Sequence, residues 1–357
     1  MSPPPIRVLV VEDSLTVRMR LREVLGREPD VEVVGEAEDG RRAIELCQAL
    51  RPDVVTLDMM LPVMTGVAAT EYIMAHCPTP ILIVSSSTNR GELFRTYDAL
   101  AAGALDVLEK PRGDETDDHW ERRLVAAVRL VSRVKVITHP RGRLGGLGRA
   151  SAAPVEAGPR RAPRADGCVA ALGASTGGPG AIVRVLQGMP APLPFALLVV
   201  IHIDEPFGTA FAEWLDGQTD HRVRYARQGE PLPGGGQVLM APPGRHLVVR
   251  EARLELTADP ARHSCRPSVD VLFESLARER GPGVRAALLT GMGGDGAAGL
   301  LEIRRAGGLT IAQDEATSAV YGMPREAVRL GAAERVLPLS EIGAALVAGR
   351  PPARGAS

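Results

Sequence analysis

The chain has little cysteine, almost no net charge and no long apolar run, and each shortage excludes a class of protein. Its four cysteines, Cys47, Cys77, Cys168 and Cys265, are far apart with no Cys-x-x-Cys pair. That spacing argues against a zinc knuckle or a disulfide frame and suits a reducing cytosol. The 42 basic and 43 acidic residues leave a formal net charge of -1, so no global field draws the chain to nucleic acid or to a membrane surface. No apolar stretch reaches the roughly 18 residues of a membrane helix. The opening Met1-Ser2-Pro3-Pro4-Pro5 lacks the charged and apolar regions of a signal peptide. The expectation is a soluble, cytoplasmic monomer without a nucleic-acid partner and without direct membrane insertion.

What is present is a repeated strand and helix rhythm long enough, at 357 residues, for two domains with separate cores. Ile6–Val11, Val31–Ala37, Val54–Leu57, Ile81–Val84 and Asp106–Leu108 have the short apolar pattern of strands, with amphipathic stretches between them. A parallel, doubly wound sheet follows. Residues Asp118 to Ile137 predict one amphipathic helix, with Trp120, Leu124, Val128, Val131 and Val134 on its apolar stripe. From His139 to Ala165 the pattern gives way to Pro, Gly, Ala and Arg, including Arg160-Arg161-Ala162-Pro163-Arg164. Without interleaved aromatics this stretch suits a solvated tether better than a nucleic-acid tail. The expected division is 1–115, a helix and linker over 116–165, and a second domain over 166–350.

The second domain resumes the rhythm. Val169–Leu172, Leu197–His202, Val238–Met240, Ala286–Thr290 and Leu309–Ala312 are predicted strands. Pro179–Gln187, Gly208–Asp216, Val269–Arg278 and Gly296–Arg305 are predicted helices. Leu247–Arg250 and Arg253–Leu256, separated by Glu251-Ala252, predict an antiparallel hairpin at the edge of a mostly parallel sheet.

Two chemical signatures stand at the predicted strand ends. In the first domain, Glu12 and Asp13 follow the first strand and Asp58 the third, and neighbouring parallel strands present their carboxyl ends to one crevice. Three carboxylates there call for a hard cation, and Mg2+ suits such a set. Ser85 and Lys110, at the ends of the fourth and fifth strands, add a hydroxyl and a cation that can read a phosphoryl oxygen. A cis Lys110–Pro111 bond is expected to fix the turn of that lysine.

In the second domain Gly173-Ala174-Ser175-Thr176-Gly177-Gly178 lies between a strand and a helix, the setting of a nucleophile elbow. A phosphate-binding loop competes, but the Lys-Ser/Thr ending of a Walker loop is missing. Gly291-Met292-Gly293-Gly294-Asp295-Gly296 satisfies G-x-G-x-x-G, with Asp314 about 20 residues on as in a dinucleotide fingerprint. Asp295 would then place an anion where a pyrophosphate must sit. In a hydrolase the same aspartate can orient an imidazole. A serine needs a base, and His202 at a neighbouring strand end is the best placed of the seven histidines. The order serine, histidine, acid differs from the serine, acid, histidine order of α/β-hydrolases.

The first domain's pocket residues, with Leu57-Asp58-Met59-Met60-Leu61-Pro62-Val63-Met64-Thr65-Gly66, closely resemble the receiver domain of two-component response regulators. The resemblance implies a flavodoxin-like fold with a parallel five-stranded sheet and Asp58 as phosphoacceptor. It also implies metal ligation by Glu12, Asp13, Asp58 and the Met60 carbonyl, Ser85 as switch hydroxyl and Lys110 as phosphate partner. Met60 and Thr65 depart from residues common in that family. The second domain's Gly173-Ala174-Ser175-Thr176-Gly177-Gly178-Pro179, His202, Ala241-Pro242-Pro243-Gly244-Arg245-His246-Leu247, Arg266-Pro267-Ser268-Val269-Asp270, Thr290-Gly291-Met292-Gly293-Gly294-Asp295-Gly296 and Tyr321-Gly322-Met323-Pro324 resemble the CheB family of chemotaxis protein-glutamate methylesterases. This implies a Rossmann-like α/β catalytic domain in which Ser175 is the nucleophile, His202 the base and Asp295 its orienter, with Thr176 and Met292 at the oxyanion region. Ile201 and Ile203-Asp204 depart from residues often found beside that histidine. The implied substrates are glutamate γ-methyl esters, and glutamine amides, on chemoreceptor cytoplasmic domains. The implied phosphodonor is a chemotaxis histidine kinase, and ester hydrolysis needs no cofactor. A non-enzymatic signalling adaptor and a dinucleotide-dependent oxidoreductase are the competing readings.

Overall fold

The computed structural model describes residues 4–86, 89–110, 117–134, 136 and 168–349. The chain divides into two compact units, residues 1–155 and 156–357. The tether from His139 to Ala165 and the Lys110–Pro111 bond fall outside the described residues.

The first unit runs β1 (Ile6–Val11), α1 (Leu15–Gly26), β2 (Val31–Ala37), α2 (Gly40–Leu50), β3 (Val54–Leu57), α3 (Gly66–His76), β4 (Ile81–Ser85), α4 (Arg90–Ala102), β5 (Asp106–Glu109) and α5 (Asp117–Val131). Its five strands lie in the order β2-β1-β3-β4-β5, every pair parallel. The middle strands are mostly apolar because helices cover both faces, and Val54, Val55, Leu57, Ile81, Leu82 and Ile83 are fully buried.

Helix α5 ends earlier than the periodicity predicts. Val134 N–H donates to the Val131 carbonyl and Arg133 N–H to that of Leu130, so the last turn tightens to three-residue spacing instead of running on to Ile137. Trp120, Leu124, Val128, Val131 and Val134 are all buried as the stripe requires. The helix packs on β4, β5 and α1, so it completes the first unit. Trp120 Nε1 donates to the Glu109 carbonyl at 2.7 Å, and the guanidinium of Arg129 meets Glu28 at 2.6 Å.

The second unit runs β6 (Val169–Ala174), α6 (Gly178–Gln187), β7 (Ala196–Ile201), α7 (Glu205–Gly208), α8 (Phe211–Gln218), β8 (Arg222–Tyr225), β9 (Gln237–Met240), β10 (His246–Arg250), β11 (Arg253–Thr257), α9 (Val269–Arg280), β12 (Val284–Leu288), α10 (Ala297–Arg305), β13 (Leu309–Gln313), α11 (Met323–Arg329), β14 (Arg335–Leu337) and α12 (Leu339–Ala348). Seven strands form one parallel sheet in the order β14-β13-β12-β6-β7-β9-β8. The hairpin is present where the sequence places it, with Val248 opposite Glu255 and Arg250 opposite Arg253. Its strands pair with each other as a separate two-stranded sheet rather than extending the seven-stranded one. Leu247, Val249 and Leu254 instead turn into the core against α9. The helix predicted over Gly208–Asp216 is α8, which starts later, at Phe211, while Gly208 ends the separate short α7.

β6 has β7 on one side and β12 on the other. A parallel sheet that winds in opposite directions from a central strand opens a crevice at the carboxyl ends there. The segments after β6, β7 and β12 carry Ser175, His202 and Asp295.

Candidate active site and phosphoryl pocket

The register of β6 and β7 sets Ala174 beside Ile201. Ser175 and His202 therefore leave the sheet on adjacent strands, and the His202 amide donates to the Ala174 carbonyl at 3.0 Å. Ser175 is pinned from the other side, its amide donating to the Thr290 carbonyl at 3.0 Å beyond β12. Gly177 sits in the left-handed region (φ 75°), and a Cβ there would meet that of Ala319 at 2.6 Å. Glycine is thus required for the sharp strand-to-helix turn on which the serine stands. Gly291 leaves equally little room, since a Cβ on it would lie 2.7 Å from Ser175 Cβ and 2.3 Å from Met323 Sδ.

Asp295 is buried and fully engaged. Its Oδ2 lies 2.8 Å from His202 Nε2 and accepts from the Val269 amide at 2.7 Å. Its Oδ1 accepts from the Ser268 hydroxyl at 2.7 Å and the Asp270 amide at 3.1 Å. The N-terminus of α9, where amides and helix dipole favour an anion, therefore holds the carboxylate. Burial alone would raise the Asp295 carboxyl, but His202 and Ser268 outweigh it and hold it below the usual carboxylate range. Burial works against a charged His202 ring too. Hydrogen bonds to Asp295 and Cys265 overcome it and raise the imidazole to about 9.

Of the five residues expected at this site, His202 and Asp295 meet directly. Among the described residues the Ser175 hydroxyl forms no hydrogen bond, and the second ring nitrogen of His202, Nδ1, faces Cys265 Sγ at 3.6 Å. Such bonds are often unformed without substrate and tighten when it binds. Thr176 is buried and its carbonyl accepts from the Thr290 hydroxyl, while Met292 is exposed. Among the described residues neither the Thr176 nor the Met292 amide donates a hydrogen bond to another group. The Asp295 carboxylate of the Gly291–Gly296 turn is directed to His202 and the α9 amides, a fixed anion that works against a pyrophosphate at this turn.

The sequence pattern did not single out Cys265 or Ser268 as members of this site. Arg262 and Cys265 exchange backbone hydrogen bonds around His263 and Ser264, both at positive φ, and the resulting turn brings Cys265 to His202. Ser268 is the N-cap of α9, and its place before an apolar helix was the available signal.

In the first unit Lys110 Nζ lies 2.9 Å from Glu12 Oε2 and 3.1 Å from Asp58 Oδ2. One oxygen from each of Glu12, Asp13 and Asp58 falls within 4.8 Å of the others. Burial raises Glu12 to about 7 against the hydrogen bond from Lys110, and burial likewise raises Asp58. Crowded, partly desolvated carboxylates of this kind fit Mg2+. Ser85 Oγ, at the end of β4, is buried without a hydrogen-bond partner, as a hydroxyl awaiting an oxygen-bearing group would be. Met60 points outward, with Arg95 Nη1 donating to its sulfur at 2.8 Å. Thr65 caps α3 by accepting from the Ala68 amide at 3.3 Å, a task its hydroxyl performs as aspartate would.

Comparison with known proteins follows the same division. A model of the CheB methylesterase family matches residues 170–346, and one of the response regulator receiver domain matches residues 8–117. The protein-glutamate methylesterase/protein-glutamine glutaminase 2 of Anaeromyxobacter dehalogenans is 46% identical over 342 residues, 96% of each chain. Its counterpart from Nitrosospira multiformis is 43% identical over 349 residues, again 96% of each. That from Symbiobacterium thermophilum is 44% identical over 357 aligned positions, 96% of each. Among the described residues no helix is long and apolar enough to cross a membrane.

Proposed function

The chain belongs to the CheB methylesterase family, with a response regulator receiver domain ahead of the esterase domain, and from that membership we infer a cytoplasmic protein-glutamate methylesterase and protein-glutamine glutaminase. Its substrates are γ-methyl esters of glutamate, and glutamine amides, on the cytoplasmic domains of chemoreceptors. The observation that carries the assignment is the His202–Asp295 pair, 2.8 Å apart, at the strand end beside Ser175.

Ser175 Oγ attacks the side-chain carbonyl while His202 takes its proton, and the tetrahedral oxyanion rests on the Thr176 and Met292 amides. The C–O bond to methoxide, or the C–N bond to the amide nitrogen, then breaks as His202 returns the proton to the leaving group. Water repeats the sequence on the glutamyl ester and restores the serine. Asp295, held by Ser268 and the α9 amides, keeps the ring oriented and stabilises its charged form. With Nε2 on Asp295, proton exchange with Ser175 passes through Nδ1.

In the receiver domain Asp58 accepts a phosphoryl group from a histidine kinase. Glu12, Asp13, Asp58 and the Met60 carbonyl would hold Mg2+, which supplies charge neutralisation for that transfer. Ser85 and Lys110 bind the new phosphoryl oxygens, and phosphorylation relieves inhibition of the esterase by the receiver domain. It can do so only by the difference in free energy it makes between inhibited and released states. Methanol release from a methylated receptor fragment, with and without acetyl phosphate, tests both levels. Turnover that rises with the phosphodonor supports the whole scheme. Turnover indifferent to it removes the regulatory part, and none under either condition removes the esterase assignment.

A further inference from the structure

His202, Cys265 and Asp295 offer an imidazole nitrogen, a sulfur and a carboxylate oxygen that lie within 4.8 Å of one another. Imidazole nitrogen and thiolate sulfur are ligands from which proteins build zinc sites, and a carboxylate on the ring's other nitrogen is their usual support. Linear spacing concealed it, because Cys265 is 63 residues from His202. The internal geometry is specific. Asp295 takes Nε2 of the ring, so Nδ1 is the nitrogen left over, and Cys265 Sγ stands 3.6 Å from it. Bonds of about 2.05 Å to nitrogen and about 2.3 Å to sulfur, at a tetrahedral angle of about 109°, separate two zinc ligands by about 3.6 Å. Metal-bound histidines usually carry a carboxylate on the far nitrogen, which fixes the ring and raises its basicity. Asp295 already stands there, held in turn by Ser268 and two amides.

We propose that the cleft binds Zn2+ between His202 Nδ1 and Cys265 Sγ, and that the ion is an inhibitor of the esterase. The inhibitory half rests on His202 being the general base. On binding, the Cys265 S–H bond breaks and, below about pH 9 where the His202 ring is protonated, the Nδ1–H bond breaks too; both protons pass to water, and the thiolate and the freed Nδ1 lone pair close on the ion, with water in the open positions. No electron is transferred. The lone pair needed for the Ser175 proton is then engaged, and acyl transfer stops until the ion leaves. Thiolate and imidazole favour Zn2+ over Mg2+, so the ion expected in the receiver pocket does not compete.

The test uses the full-length chain with Zn2+ at buffered free concentrations, and Co2+ as a spectroscopic substitute. Each variant is normalised to its own metal-free methanol release. The expected result is inhibition by Zn2+, reversed by EDTA and not produced by Mg2+, with a thiolate-to-cobalt charge-transfer band. Cys265→Ser should lose the band and weaken Zn2+ inhibition by at least about tenfold. Because Cys47 and Cys77, 3.9 Å apart in the receiver unit, can also bind cobalt, the difference between wild type and Cys265→Ser is the reading. Equal inhibition and equal spectra in both proteins, or no inhibition of wild type, overturns the proposal. A chain without esterase activity that still shows the Cys265-dependent band overturns the esterase assignment and leaves the metal site standing.

Discussion

The Ser268 hydroxyl donates to Asp295 Oδ1 at 2.7 Å, with both residues buried. The same oxygen of Ser268 accepts from the Val271 amide at 3.4 Å and caps α9. One side chain thus secures a helix end and the carboxylate that helix holds. Ser268→Ala should lower kcat about tenfold through loosened orientation of the His202 ring, with KM little changed. Loss of the cap should cost about 1 kcal/mol, read as a fall in Tm. Ser268→Thr keeps the hydroxyl and should recover most of the rate, which a purely structural role for the helix cap would not require.

The pH profile follows from the raised imidazole. A base must be unprotonated, and Asp295 and Cys265 hold the His202 proton up to about 9 against the opposing effect of burial. Log kcat/KM should therefore climb with pH through neutrality, bend near pH 9 and level off only above it. Asp295→Asn removes the main support of the cation while leaving the burial that opposes it, so the rise should move to lower pH as the overall rate falls. The same linkage makes the pair stabilising below the ordinary histidine pKa, and that contribution disappears as pH rises through about 9. A wild-type rise centred at or below 6.5 contradicts this account.

Gly291→Ala should damage the site without touching its chemistry. The added methyl would come within 2.3 Å of Met323 Sδ and 2.7 Å of Ser175 Cβ, so the nucleophile or its turn must shift. Activity should fall by about a hundredfold, since small misplacements are costly in acyl transfer. Overpacking should cost about 1–3 kcal/mol in denaturant unfolding.

Much of this arrangement was legible in the residues. The strand ends that carry Glu12, Asp58, Ser85 and Lys110, and those that carry Ser175, His202 and Asp295, follow short, mostly apolar runs alternating with helical patterns, as a buried parallel sheet requires. What escaped prediction lacks such a run. β8 (Arg222–Tyr225) is a polar edge strand and β14 is only three residues long. The hairpin's separate pairing reflects packing of Leu247 and Leu254 against α9, which no local pattern records. Cys265 and Ser268 join the site through a turn and a helix cap whose partners, His202 and Asp295, are 63 and 27 residues distant in sequence. Helix α5 was predicted too long because Val134 continues the apolar stripe after the helix itself has ended at Val131.

Receiver control gives a prediction of its own. Asp58→Asn should leave the unstimulated esterase rate in place and abolish its increase with acetyl phosphate. Lys110→Ala removes the cation 3.1 Å from Asp58 Oδ2 and should likewise blunt the response. Incorporation of labelled phosphate, followed beside methanol release, separates lost transfer from lost signalling.

The most direct measurement is a rapid acid quench of the full-length chain with methylated receptor fragment, followed by mass spectrometry of the peptide that contains Ser175. A glutamyl ester on Ser175 is predicted in the wild type, and Ser175→Ala should release methanol at least about a thousandfold more slowly with its fold intact. Near-normal methanol release from Ser175→Ala, or an acyl group carried by another residue, would contradict the account.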